Sequence, residues 1–192
     1  MEIYAHIDES GGRLLDGTRM YSMAAVLTAT SDHDAIRRAL RELLLPDQSY
    51  LHHYEETAKR RVEIAHRLAT VPLIGVLVGH SDTTSPEEEH TRRRLLAWLL
   101  CQLQHNEGAS HVVIESRTSS DKHDRRTRDR LLKSRSLSST MGVTHAVKAA
   151  DELLWVADFF VSAHGASLLH VQHEAWDILA AAHVIEVLVD PR

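Results

Sequence analysis

Residues 1–12 read MEIYAHIDESGG, and this stretch decides how the rest of the chain is interpreted. Apolar side chains recur at every second position, as on one face of a β-strand, and predict a strand over residues 2–9. The predicted strand ends in two adjacent acids, Asp8 and Glu9, and the glycine-containing segment SGGRLLDGT of residues 10–18 predicts a turn after them. Taken alone, the two acids fit a solvated strand end as well as they fit half of a metal site.

The remainder of the chain alternates between apolar segments of strand length and segments of helical periodicity. This order predicts an α/β fold in which α-helices flank a central mixed β-sheet. No internal repeat or low-complexity linker interrupts it, so residues 1–192 are expected to form one domain. The further predicted strands cover 19–29, 71–79, 110–116 and 143–148, and the predicted helices cover 30–46, 54–70, 85–108, 121–135, 150–170 and 174–188.

Composition narrows the class of protein. Hydrophobic residues make up 43% and charged residues 26%, as in ordinary globular proteins, and the net charge of −5 shows no overall basic excess. The only cysteine, Cys101, excludes an intrachain disulfide and fits a reducing compartment. The chain begins with acid rather than a basic leader, and no apolar run reaches the roughly 18–20 residues of a membrane span. We therefore expect a cytoplasmic protein without a membrane partner.

Four acids stand out because they interrupt apolar sequence. Asp8 and Glu9 end the first predicted strand, Glu115 ends the strand HVVIE, and Asp158 lies inside the nearly uncharged helix LLWVADFFVSA. Carboxylates that converge repel one another, and a hard divalent cation removes that repulsion. The same ions activate water in phosphodiester cleavage. A strand-end turn, an ion pair of Glu115 with Arg117, and a hydrogen-bonded buried Asp158 are the simpler alternatives.

Four segments together resemble one known family, in the same order along residues 3–180. They are IDESG (7–11), LHH (51–53), VVIESR (112–117) and LLWVADFFVSA (153–163). The family is the ribonuclease-H-like group of uncharacterised proteins catalogued as domain-of-unknown-function family 3800.

The resemblance implies a ribonuclease-H-like fold and a site for divalent metal, Mg²⁺ or Mn²⁺. Asp8, Glu115 and Asp158 would be its three acidic corners, and members are presumed to be nucleases or nuclease relatives. The fourth-strand acid of the family is often Asp, so the longer Glu115 is a departure that shifts or weakens the expected site.

Further residues are candidates for supporting roles. The resemblance favours His52 for proton transfer, and Glu9 and Glu56 are candidates for additional metal ligands. A basic segment after Glu115 has the charge to hold a nucleic-acid backbone, although a run of charges is more often only a solvated helix face. Its candidate nucleic-acid-binding residues are Arg117, Lys122, Arg125, Arg126 and Arg128.

Three hypotheses of function follow. The first is a metal-dependent nuclease acting on DNA or RNA. The second is an inactive ribonuclease-H-like module that binds nucleic acid or protein, and the third is a metal-dependent hydrolase of small phosphorylated substrates. The sequence does not give the oligomeric state, and a homodimer is compatible with it.

Overall fold

A six-stranded mixed sheet forms the centre of the molecule, in the order β5-β4-β1-β2-β3-β6. The computed structural model describes residues 1–13, 17, 19–83, 88–169 and 172–189. The strands are β1 (Ile3–Arg13), β2 (Arg19–Ala29), β3 (Gly75–Thr83), β4 (His111–Glu115), β5 (Gly142–Ala146) and β6 (Ile185–Val189). The helices are α1 (His33–Arg41), α2 (Ala58–Leu68), α3 (Glu88–His105), α4 (Asp121–Lys133), α5 (Leu153–Leu169) and α6 (Glu174–Ala182). The predicted α/β architecture with a central mixed sheet flanked by helices is thus confirmed; residues 85–87 of the predicted 85–108 helix lie outside the described residues.

The first strand is longer than the sequence predicts. β1 pairs antiparallel with β2 up to Arg13, so Gly11 and Gly12 are ladder residues and the turn predicted over residues 10–18 is wrong for residues 10–13; residues 14–16 and 18 lie outside the described residues. Pairing with β2 overrides the local turn preference of the two glycines. Packing also favours glycine at position 12, because a Cβ atom there would lie 2.3 Å from Cδ1 of Leu169 at the end of α5.

The last predicted helix is partly wrong. The segment 174–188 divides into α6 and the strand β6, which pairs parallel with β3 from Ile185 onward. The apolar residues of this segment fit a helical face as well as a strand. Tertiary pairing with the edge of β3, which the local pattern does not show, decides between them.

Helices cover both faces of the sheet and bury two apolar clusters. One cluster joins Ala24 and Val26 of β2 with residues of α1, α2, α5 and α6. The other joins Met23 and Ala25 of the same strand with α3, and α4 packs against α3. Side chains alternate between the faces along each strand. Asp8 pairs with Ala24 across the ladder and therefore faces the α5 side. No helix in the described part of the chain combines the length and apolar character needed to cross a membrane.

Candidate metal centre

Asp8, Glu115 and Asp158 come together at one place on the sheet face that α5 covers. β4 runs parallel to β1 with Ile114 beside Ile7, so the next residue, Glu115, comes alongside Asp8. Asp158 reaches the same point from α5, which packs closely on β1. Asp8 and Asp158 are only 2% and 3% exposed. Two adjacent parallel strands and one helix therefore bring Asp8 together with two carboxylates that follow it by more than 100 residues in the sequence.

A lysine lies among the three acids. The Lys148 Nζ atom is 2.8 Å from Asp158 Oδ1, 3.0 Å from Asp8 Oδ2 and 3.3 Å from Glu115 Oε1. Lys148 begins the 3-10 turn that follows β5, the parallel neighbour of β4, and it is 8% exposed. Its ammonium group thus partly compensates three converging negative charges.

The carboxyl groups of this centre have strongly perturbed acidities. Burial raises the pKa of Asp8 to about 7, and a hydrogen bond shared with Glu115 adds to this, while the Lys148 ammonium opposes it. Burial also raises the pKa of Asp158 above its ordinary value, against the lowering effect of Lys148. Burial lowers the pKa of Lys148, but the charges of Asp158 and Asp8 outweigh it and raise that pKa overall. Lys148 therefore stays protonated, and burial favours the neutral forms of Asp8 and Asp158 in the absence of a further cation.

Two backbone amides fix the orientation of the carboxylates. The Glu9 N–H donates to Asp8 Oδ1 at 2.7 Å, and the His53 N–H donates to Asp158 Oδ2 at 2.9 Å. The other oxygen of Asp8, Oδ2, is buried and lies against the Lys148 ammonium at 3.0 Å. Hard carboxylate oxygens that converge in this way suit Mg²⁺ or Mn²⁺. These residues fit a divalent cation.

His52 lies at the rim of the acidic centre. Its Nε2 atom is 3.9 Å from Asp158 Oδ1, and its side chain is 29% exposed. The Nδ1 atom of its ring has no hydrogen-bond partner among the described residues. His52 is thus both near the acids and accessible from solvent.

Glu9 points to the opposite face of the sheet, where it belongs to a different charge network. Its carboxylate pairs with Arg92 of α3, and Arg117 Nε lies 3.4 Å from its other oxygen. Arg92 is 1% exposed and also binds both oxygens of the buried Asp124 of α4. Glu9 therefore ties the sheet to the α3–α4 layer, and we leave it out of the proposed ligand set.

Glu56 is occupied elsewhere as well. Gln48 Nε2 donates to Glu56 Oε1 at 2.7 Å, and Arg60 Nε lies 3.7 Å from Glu56 Oε2. The first contact lies within the segment before α2 and the second joins that segment to the helix, so Glu56 too is left out of the proposed ligand set.

A second group of metal-ligating side chains lies on the α4 side. Ligand atoms of Asp121, Asp124 and His145 all lie within 4.8 Å of one another. The Asp124 oxygens are engaged by Arg92 and, at 3.1 Å, by His145 Nε2. Asp121 accepts hydrogen bonds from the Ser116 hydroxyl and a backbone amide. Because existing donors saturate these carboxylates, we interpret the group as a structural network.

The five basic candidates divide into two sets. Lys122, Arg125 and Arg126 of α4 are exposed to solvent. Arg117 instead pairs with Glu9 and, at 3.2 Å, with Glu89, while Arg128 pairs with its neighbour Asp129. The exposed set retains its charge for a partner, whereas Arg117 and Arg128 are already engaged within the chain.

The sequence interpretation missed Lys148 as a member of the centre. A signal was present, because Lys148 ends the weak predicted strand at 143–148 and is the only lysine or arginine in residues 136–169, which include the helix that carries Asp158. It also missed Arg92, whose partners Glu9 and Asp124 are far apart in the sequence, so that no local pattern reveals the pairing.

The architecture is a ribonuclease-H-like α/β fold. A chain in the structure of the PCNA:RNase HII complex from Archaeoglobus fulgidus is similar to it, with a TM-score of 0.51 and 16% identity over 91% of this chain and 78% of that one. The ribonuclease H2 from Pyrococcus horikoshii OT3 is similar as well, with a TM-score of 0.51 and 18% identity over 83% and 70% of the two chains. No family model and no curated protein matches the sequence. At these identities the likeness shows the fold alone, and the predicted ribonuclease-H-like fold is confirmed.

Proposed function

We propose that this protein is a divalent-metal-dependent nuclease that hydrolyses phosphodiester bonds in DNA or RNA. The observation that carries the proposal is the meeting of Asp8, Glu115 and Asp158 around one buried point of a ribonuclease-H-like fold. Membership of family 3800 and a cytoplasmic location belong to the same proposal. They rest on the four sequence segments and on the single cysteine.

Asp8, Glu115 and Asp158 would hold Mg²⁺ or Mn²⁺. When bound, such an ion lowers the pKa of water and stabilises the negative charge that develops on a phosphate. The chain itself orients two of these carboxylates through the backbone amides of Glu9 and His53. His52 stands at the rim, where its imidazole can exchange a proton with a leaving or attacking oxygen.

We propose the substrate class from the open rim of the centre and from the exposed basic residues of α4, which packs against α3 on the other face of the sheet. An open rim at His52 and the exposed cations Lys122, Arg125 and Arg126 suit an extended polyanion. Binding through such contacts is independent of base sequence and weakens with added salt. We therefore propose that the exposed part of α4 holds a phosphate backbone.

The test is a cleavage assay on single- and double-stranded DNA and RNA and on an RNA–DNA hybrid. We expect cleavage with Mn²⁺ and none with EDTA. Asp8→Asn should abolish it, because this change removes a central charge with little change in volume. Asp34→Asn, an exposed acid on α1, is the matched control and should cleave like the wild type. Cleavage that survives both EDTA and Asp8→Asn would overturn the proposal.

A second candidate function is an inactive module that binds nucleic acid or a protein. The observation that favours it is Lys148 itself, since an ammonium already compensates the acids. This candidate predicts no cleavage and no rise in melting temperature with Mn²⁺. The first function predicts both, because a ligand that binds only the native state stabilises it.

A further inference from the structure

We propose that Lys148 is a resident cation of the acidic centre, so that the site takes one divalent ion instead of two. This inference rests on the proposed function only for the identity of the acidic ligand set. It assigns to Lys148 the charge compensation that a second metal ion supplies in a two-metal site.

The geometry is the first argument. An ammonium group has three N–H donors, and three different carboxylates lie 2.8–3.3 Å from Lys148 Nζ. The lysine is 8% exposed, and Trp155 Nε1 donates to its carbonyl oxygen at 2.8 Å, which fixes the backbone from which the side chain reaches inward. Lys148 is therefore held at the meeting point of the acids rather than lying flexibly over it.

The charge balance is the second argument. Ionised Asp8, Glu115 and Asp158 carry three negative charges, and Lys148 with one divalent ion carries three positive charges. A second divalent ion would leave an excess of two positive charges in a largely buried site, which is unfavourable at the low dielectric constant of a protein interior.

The supply of oxygen ligands is the third argument. Asp8 Oδ1 and Asp158 Oδ2 each already accept a backbone N–H, which leaves Asp8 Oδ2, Asp158 Oδ1 and the carboxylate of Glu115. These remaining oxygens are the ones that face the ammonium. They are enough for one ion that shares them with Lys148 and keeps several waters, as Mg²⁺ and Mn²⁺ do.

The experiment counts Mn²⁺ ions per chain by titration calorimetry and by electron paramagnetic resonance of the free ion, starting from EDTA-stripped protein. The wild type should bind one ion in this site. Lys148→Met keeps the length of the side chain but removes the charge, so it should bind a second ion or bind the first at least about tenfold more tightly. Lys59→Met, whose side chain is 90% exposed, removes the same charge elsewhere and should match the wild type.

Two ions or none in the wild type would overturn the inference, and so would unchanged count and affinity in Lys148→Met. The number of Mn²⁺ ions bound by the wild type tests the inference even if Lys148→Met does not fold without metal. In that case circular dichroism should show that Mn²⁺ restores its fold. A wild type that cleaves nucleic acid with two bound ions refutes this inference and leaves the nuclease proposal intact. One bound ion without cleavage of any substrate would refute the nuclease proposal and leave this inference intact.

Discussion

Replacement of Asp158 by Asn tests the acidic centre most directly, because both carboxylate oxygens have defined donors. Oδ2 accepts the His53 N–H at 2.9 Å, and Oδ1 accepts Lys148 Nζ at 2.8 Å. An asparagine must turn its NH₂ group toward one of these donors. Breaking a buried ion pair costs about 3–5 kcal/mol when one charge is left unpaired. In the variant Lys148 still pairs with Asp8 and Glu115, so its charge is not left unpaired. We therefore expect a smaller loss, about 2–3 kcal/mol, in the free energy of unfolding.

Urea unfolding followed by circular dichroism in EDTA measures this loss, and thermal melts with and without Mn²⁺ measure the metal dependence. At a hundredfold excess over its dissociation constant, Mn²⁺ should stabilise the wild type by about 2.7 kcal/mol. For a chain of 192 residues this corresponds to a rise in melting temperature of roughly 5–11 °C. Asp158→Asn should lose most of this rise.

The matched control is Asp177→Asn, which removes an exposed carboxylate in the first turn of α6. It should change the free energy of unfolding by less than about 0.5 kcal/mol and keep the full response to Mn²⁺. If Asp158→Asn behaved like this control in both measurements, the assignment of Asp158 to a charged centre would be refuted.

Three further predictions concern other parts of the molecule. Arg92→Met leaves two carboxylates without their shared cation, so denaturant unfolding should show a loss of about 3–5 kcal/mol; a loss under 1 kcal/mol would contradict the buried network. Burial holds the pKa of His53 at about 4, below its ordinary 6.5, so between these pH values the unfolded chain binds the extra proton and acid removes stability. The free-energy difference between wild type and His53→Leu should therefore shift by about 3 kcal/mol in favour of the variant from pH 7 to pH 4, and a constant difference would refute this. Replacing Arg125 and Arg126 together by Gln should weaken binding to a DNA oligonucleotide and reduce the dependence of log K on log salt by about 2, as fluorescence anisotropy would show, whereas the charge-neutralising change Lys133→Gln at the far end of α4 should do less; equal effects would argue against a localised contact.

The layered architecture could be predicted from the sequence because the spacing of apolar residues is visible within each segment by itself. Alternation along β1 and apolar runs at β3 and β4 are visible without tertiary information. The meeting of Asp8 with Glu115 was expected from their places at matching strand ends and from the family resemblance. The local sequence pattern does not show which distant segments will pair with a given stretch of chain. Gly11 and Gly12 favour a turn until β2 pairs with them, and β6 forms because β3 offers an edge.

The charge networks were harder to anticipate for the same reason. Lys148 follows a short edge strand and carries no motif, so its role emerges only when β5 is placed beside β4. The two-residue period of a strand puts Glu9 on the opposite face from Asp8, where it pairs with Arg92. Its partner on α3 could not be predicted from the sequence, because this helix of 18 residues carries three consecutive arginines, Arg92–Arg94, and the sequence does not show which of them faces the sheet.

The sequence separation between the paired strands has a consequence for the growing chain on the ribosome. β1 can pair with β2 as soon as both have been made, but its other neighbour, β4, supplies His111 opposite Tyr4 more than 100 residues later. Contacts of such long sequence separation slow folding, since the loop must close before the contact is gained. One edge of β1 therefore remains unpaired until β4 has been synthesised. Asp8 meets its compensating charge only after Lys148 has emerged, so the order of synthesis keeps the acidic centre unassembled until late.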